Sequence, residues 1–172
     1  MTDLLTHVLV AYLLATLVER RTSRLDRRHV PVVMVGALVP DVAKVHLVLG
    51  DPVSAVAGVD ASWYALQTVG GVAALVAIGA VLIGPDERRR ALGLLAAGAA
   101  SHMLLDVPVQ RADGLSPPYL YPLTWWRVPS LDLYLSSDVW PALVAVAAVA
   151  ALFIVRRCRR HTSGDSEAGR VR

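Results

Sequence analysis

His102 and Asp106 stand four residues apart in "ASHMLLDVP", inside a stretch that is otherwise apolar. On a helix that spacing puts both side chains on one face, about one turn apart. Ionisable groups in apolar helices are costly, face the bundle interior and by default mark a functional site. Other apolar stretches hold comparable residues: His7, Asp41 followed by Lys44, and Gln67. Two histidines, two carboxylates and an amide form the nitrogen and oxygen donor set that zinc and other divalent transition metals take. A metal bound there neutralises buried carboxylates and lowers the pKa of a bound water toward about 7, making hydroxide available as a nucleophile. The candidate metal ligands are therefore His7, Asp41, His102 and Asp106. Asp41, His102 and Asp106 are the candidate catalytic groups, with Gln67 and Lys44 as residues that line the site.

These side chains meet only if their elements deliver them to one depth. The chain has 172 residues, 55% of them hydrophobic and 18% charged, which is too apolar for an ordinary soluble domain of this size. Five apolar blocks, at 4–18, 30–49, 65–84, 91–109 and 139–155, are each long enough, or nearly so, to cross the roughly 30 Å hydrocarbon layer as a helix. The expected fold is an all-α polytopic membrane bundle of about five transmembrane helices. "MTDLLTH" has no basic leader, so the first block reads as a retained helix rather than a cleaved signal peptide.

Charge orients the bundle. "ERRTSRLDRRH", "GPDERRR" and the segment 156–172 hold five, three and six arginines, which is 14 of the 17 basic residues. The positive-inside rule assigns these alternate junctions to the cytoplasm. The opposite junctions carry Arg111 and Arg127 and most of the tryptophan and tyrosine, an interfacial belt. The expected topology has the N-terminus outside and the C-terminus inside, in a multi-pass cell-membrane protein. His7, Asp41, Gln67, His102 and Asp106 then all fall at the outer ends of their helices. Topology and anionic lipid account for the arginines, so no nucleic-acid partner is expected.

Each residue alone also admits a structural role. His7 and Asp106 can sit at headgroup level, Asp41 and Lys44 can form an ion pair between helices, and His102 can bond a carbonyl across the bundle. A shared site explains all four at once. The chain divides into a membrane-embedded domain at 1–160, with an extracytoplasmic loop at 107–137, and an unstructured cytoplasmic tail at 161–172. The loop is too long for a plain connection and rich in proline and aromatics. It reads either as a cover over the site, with Arg111, Asp113, Arg127 and Asp132 as candidate substrate contacts, or as a structural interfacial segment. One cysteine, Cys158, excludes an intrachain disulfide. "VGGVAALVAIGA" carries no phosphate-loop or dinucleotide fingerprint.

"THVLVAYLLA" at 6–15, "GALVPDVAK" at 36–44 and "SHMLLDVP" at 101–108, followed by "YLYPLTWW", resemble the YdjM-like family of membrane-bound, predicted metal-dependent hydrolases, also described as LexA-binding. The resemblance covers roughly residues 1 to 140. It implies a helical fold distantly akin to zinc-dependent phospholipase C and related nucleases, and it makes His7, Asp41, His102 and Asp106 the matching ligand positions. Gln67 stands in "YALQTVGG" where the family usually has a histidine. An amide oxygen is a weak zinc ligand, so the substitution lowers affinity, favours a harder metal or leaves the site without catalytic power. The leading expectation is hydrolysis of an ester or phosphoester, lipid-derived by its depth, with a divalent ion, zinc first, as cofactor. The alternatives are a membrane scaffold or partner-binding protein whose site has become structural, and a small transporter.

Overall fold

The computed structural model describes residues 2–22, 25–45 and 63–168. Among these the structure is helical and forms no β-strand beyond two isolated bridges. We label the α-helices α1 (Thr2–Arg21), α2 (Val30–Gly36), α3 (Val69–Val81), α4 (Pro85–Asp106) and α5 (Trp140–Ala168). Three short 3-10 segments join them at Arg27–His29, Val39–Val45 and Trp63–Gln67. Residues 46–49 of the second apolar block and 50–62 of the junction after it lie outside the described residues.

The second block departs from the single helix expected over 30–49. α2 ends at Gly36, and the chain continues as the 3-10 segment Val39–Val45. Pro40 is the cause, because it has no N–H to donate and its ring disfavours helical backbone at the residue before it. Asp41 N–H then bonds the Leu38 carbonyl at 3.1 Å, one residue short of the α-helical partner. Neither residue 40 nor residue 41 takes the Ala37 carbonyl. That carbonyl is left for a side chain.

α3 and α4 form a hairpin through Gly84 and Pro85, the latter at the first position of α4, where a missing N–H costs nothing. Val72 and Val76 of α3 pack against Leu95 and Ala99 of α4. Across the bundle, Ala11 and Ala15 of α1 meet Val30, Val33 and Ala37 of α2. Alanine and valine make up all of these contacts but Leu95, and backbones approach closely where alanine meets alanine or glycine. The closest approach is the α2–α4 crossing. A Cβ added at Gly98 would overlap the Val33 carbonyl oxygen and lie 2.7 Å from Ala37 N, and one at Gly36 would overlap the Leu95 carbonyl.

The distribution of polarity is the reverse of a soluble domain. Leu4, Leu14, Ile78, Leu104, Leu143 and Ile154 are exposed, while Thr6, His7, Thr16, Asp41, Ser101 and His102 are buried. At one end, Glu19 faces Arg27 and Arg156 at 3.6 and 3.9 Å, and buried His29 faces Glu87 at 4.0 Å. α5 packs on α1, with Tyr12 stacked on Phe153 and bonded by Arg156. Its 19 residues Trp140–Cys158 are long and apolar enough to cross a membrane, the one such helix among the described residues. The helical backbone of α5 runs on to Ala168, through the polar stretch expected to be an unstructured tail.

The segment 107–139 carries no helix, yet it is tied down. Tyr119 and Tyr121 carbonyls accept the Val69 and Gly70 N–H groups at 2.7 and 3.0 Å, and Thr68 Oγ1 accepts Gly71 N–H, so the open N-terminus of α3 is capped. Tyr134 O–H donates to the Leu105 carbonyl at 2.7 Å. Arg127 donates to the carbonyls of Ser116 and Leu115 and pairs with Asp113 at 2.7 Å. That guanidinium hydrogen bond holds the Asp113 carboxyl below the usual aspartate range. The tie is therefore complete above about pH 4 and is lost on acidification below it. Arg127→Ala is expected to open the segment between Gly114 and Thr124 to limited proteolysis while helical circular dichroism stays unchanged. Equal cleavage rates in both proteins would show that Arg127 is not the clamp.

Candidate metal centre

Three elements converge on one buried cluster. His7 comes from the first turns of α1, Asp41 from the 3-10 segment after α2, and His102 with Asp106 from the last two turns of α4. His7 and His102 are each 1% exposed and Asp41 7%. One ligand atom from each of these three residues lies within 4.8 Å of the others, so the group could hold a metal ion.

The α2–α4 crossing fixes His102. Gly98 lies one turn before it on the same face of α4, and the close approach brings the ring within 2.7 Å of the Ala37 carbonyl at Nδ1. A carbonyl only accepts, so Nδ1 carries a proton and Nε2 is the ring nitrogen left to face the cluster. This is the arrangement that metal-binding histidines use, with the far ring nitrogen held by a carbonyl or carboxylate. His102 Nε2 lies 3.6 Å from Asp41 Oδ1 and 3.5 Å from Asp106 Oδ2. His7 Nε2 lies 3.2 Å from Asp106 Oδ1, and the two imidazoles stack with centroids 3.8 Å apart. Asp106 thus offers one oxygen to each histidine.

The donor set fits a cation. Asp41 Oδ2 and His102 Nε2 are buried and accept no hydrogen bond. A buried carboxylate oxygen and an imidazole nitrogen left without a partner cost free energy that a bound cation recovers. Lys44 supplies one positive charge already, with Nζ 2.6 Å from Asp41 Oδ1 in an ion pair whose angle is not that of a hydrogen bond.

The other sequence candidates are placed as follows. Gln67 is half-buried at the end of the 3-10 segment that packs against the segment bearing Asp41 and Lys44. Arg127 and Asp113 are engaged with each other, and Asp132 accepts a hydrogen bond from Ser130 at 2.5 Å. Arg111 donates to Tyr119 Oη at 3.4 Å. Ala37, Gly36 and Gly98 were not singled out from the sequence, although "VPD" and the glycine at i−4 from His102 are local signals for both features. His29 is a buried histidine outside the cluster. It packs near Glu87, 15 residues before His102 on α4 and so about 22 Å along the helix axis.

A helical chain with apolar side chains outward, small and polar ones inward, and a buried His–Asp–His group defines a membrane-type helical protein with a potential metal centre. The family model for YdjM inner membrane protein matches residues 1–164, and the chain belongs to that family. No curated protein and no solved structure matches it.

Proposed function

We propose that this membrane protein is a metal-dependent hydrolase of an ester or phosphoester, lipid-derived, with the metal held by His7, Asp41 and His102 and with Asp106 beside them. The observation that carries this reading is His102. Its Nδ1 is committed to the Ala37 carbonyl, so its Nε2 is the nitrogen that faces two carboxylates in a buried site. A bound zinc or similar ion supplies an electrophile and acidifies a water toward neutral pH. The chain's own residues do the rest. The Ala37 carbonyl orients His102, stacking orients His7, and Asp106, whose oxygens face both Nε2 atoms, is the carboxylate beside them that would accept a proton from a water bound at the site.

We further infer a multi-pass arrangement with the N-terminus and the cluster on the outer side. The ion pairs that gather Arg27, Arg156 and Glu19 at the opposite end support it, as do the exposed apolar side chains around α1, α3 and α4. In segment 107–139, Leu123, Trp125 and Trp126 are 83, 72 and 61% exposed, a rim suited to the membrane interface and to an amphiphilic substrate. The rival reading is a scaffold in which the cluster is a structural knot, favoured by the contact of Lys44 with Asp41.

Metal analysis separates the two. Protein purified in detergent is expected to carry about one divalent ion per chain, and chelation is expected to abolish hydrolysis of ester and phosphodiester analogues together with the ion. Protein that takes up no zinc, manganese or other divalent ion would end the hydrolase reading.

A further inference from the structure

Resting on that reading, we propose that Lys44 is a competing cation on Asp41, one that yields to the metal and then presents its ammonium to an anionic oxygen of the substrate. In a 3-10 segment the residues at i and i+3 eclipse each other, so the backbone of Val39–Val45 sets Lys44 directly over Asp41. Its Nζ reaches Oδ1 at 2.6 Å, on the same oxygen that faces His102 Nε2 at 3.6 Å. One carboxylate oxygen is therefore claimed both by the ammonium and by the donor set.

Charge decides the contest. Asp41 and Asp106 carry two negative charges at most, which a dication alone balances. With the ammonium kept on the same oxygen, the buried site has one positive charge in excess, and the two cations repel at short range in a low dielectric. Burial differs between the partners as well. The Asp41 side chain is 4% exposed and cannot leave, whereas that of Lys44 is 41% exposed and has a way out. The lysine stem is long and flexible, so a displaced ammonium stays at the mouth of the cluster as a mobile point charge. A phosphoryl or carboxyl oxygen next to the metal is the group it would meet.

The test uses the full chain in detergent with Lys44→Met, which keeps the length of the stem and removes the charge, and with Lys44→Gln as a second neutral variant. Zinc is titrated calorimetrically against a competing chelator. Both variants are expected to bind zinc about tenfold more tightly than the parent. Inorganic phosphate is expected to bind the zinc-loaded variants about tenfold more weakly, with Lys44→Arg retaining phosphate binding. Unchanged or weaker zinc affinity in both neutral variants, with the parent still binding zinc, would overturn the proposal and leave the metal site standing. No zinc binding by any of the proteins would remove both. Phosphate binding that ignores residue 44 would also overturn the proposal. Competition of anionic phospholipid vesicles with phosphate identifies a headgroup as the source of the oxyanion, and its absence identifies a free phosphate ester.

Discussion

A Gly98→Val protein is expected to lose both its stability and its metal centre. The added Cβ would overlap the Val33 carbonyl oxygen and come within 2.7 Å of Ala37 N and 2.9 Å of Gly36 C. All three are backbone atoms, so no rotamer change relieves the contact, and α2 must move away from α4. The cost is about 3 kcal/mol or more by comparison with other overpacked cores. The same movement pulls the Ala37 carbonyl off His102 Nδ1, which frees the ring from the tautomer and angle that aim Nε2 at the carboxylates. Gly93 on the same helix is the control, because a Cβ there meets nothing within 4 Å. Gly93→Ala is expected to be neutral or to stabilise by about 0.5 kcal/mol through helix propensity. Thermal unfolding in detergent and zinc stoichiometry read both effects. A Gly98→Val protein as stable as Gly93→Ala would refute the crossing as the device that builds the site.

His102→Ala is expected to weaken zinc binding by more than about 100-fold, since it removes a donor and also the group that orders its neighbours. The ring stacks on His7 at 3.8 Å and stands between Asp41 and Asp106, so its loss leaves two carboxylates facing a void. His29→Ala is the matched control, because His29 is also buried and lies at the far end of α4 near Glu87. That variant is expected to bind zinc as the parent does. Equilibrium dialysis with the radioactive metal measures all three proteins. Equal loss in both variants would mean that general unfolding, rather than coordination, removes the ion.

The convergence of His7, Asp41, His102 and Asp106 was legible because it follows from depth alone. Polar residues at the same end of successive apolar blocks must share a level, and inward-facing positions at one level meet. What positions them was less legible. Pro40 marks a break, yet the sequence does not say that the break frees the Ala37 carbonyl for a ring 65 residues away. Gly36 and Gly98 carry no mark of their own in the sequence, and only their pairing across α2 and α4 shows that each is obligatory. The ion pair between Asp41 and Lys44 was readable from spacing, since residues three apart share one face of a helix. Block lengths overstated the regular helix in two places. α2 stops after seven residues, and α3 spans 13 of the 20 positions in the block 65–84. Apolar composition records what faces outward, not where the hydrogen-bond ladder is interrupted.

α5 stands apart from the chemistry. It leans on α1 through Tyr12, Phe153 and Arg156, and among the described residues contributes no side chain to the His–Asp cluster. The longest apolar helix and the ligand side chains thus belong to different stretches of one polypeptide. A substitution along 140–158 would therefore act first on the packing against α1, while every residue of the His–Asp cluster comes from the first 106 residues.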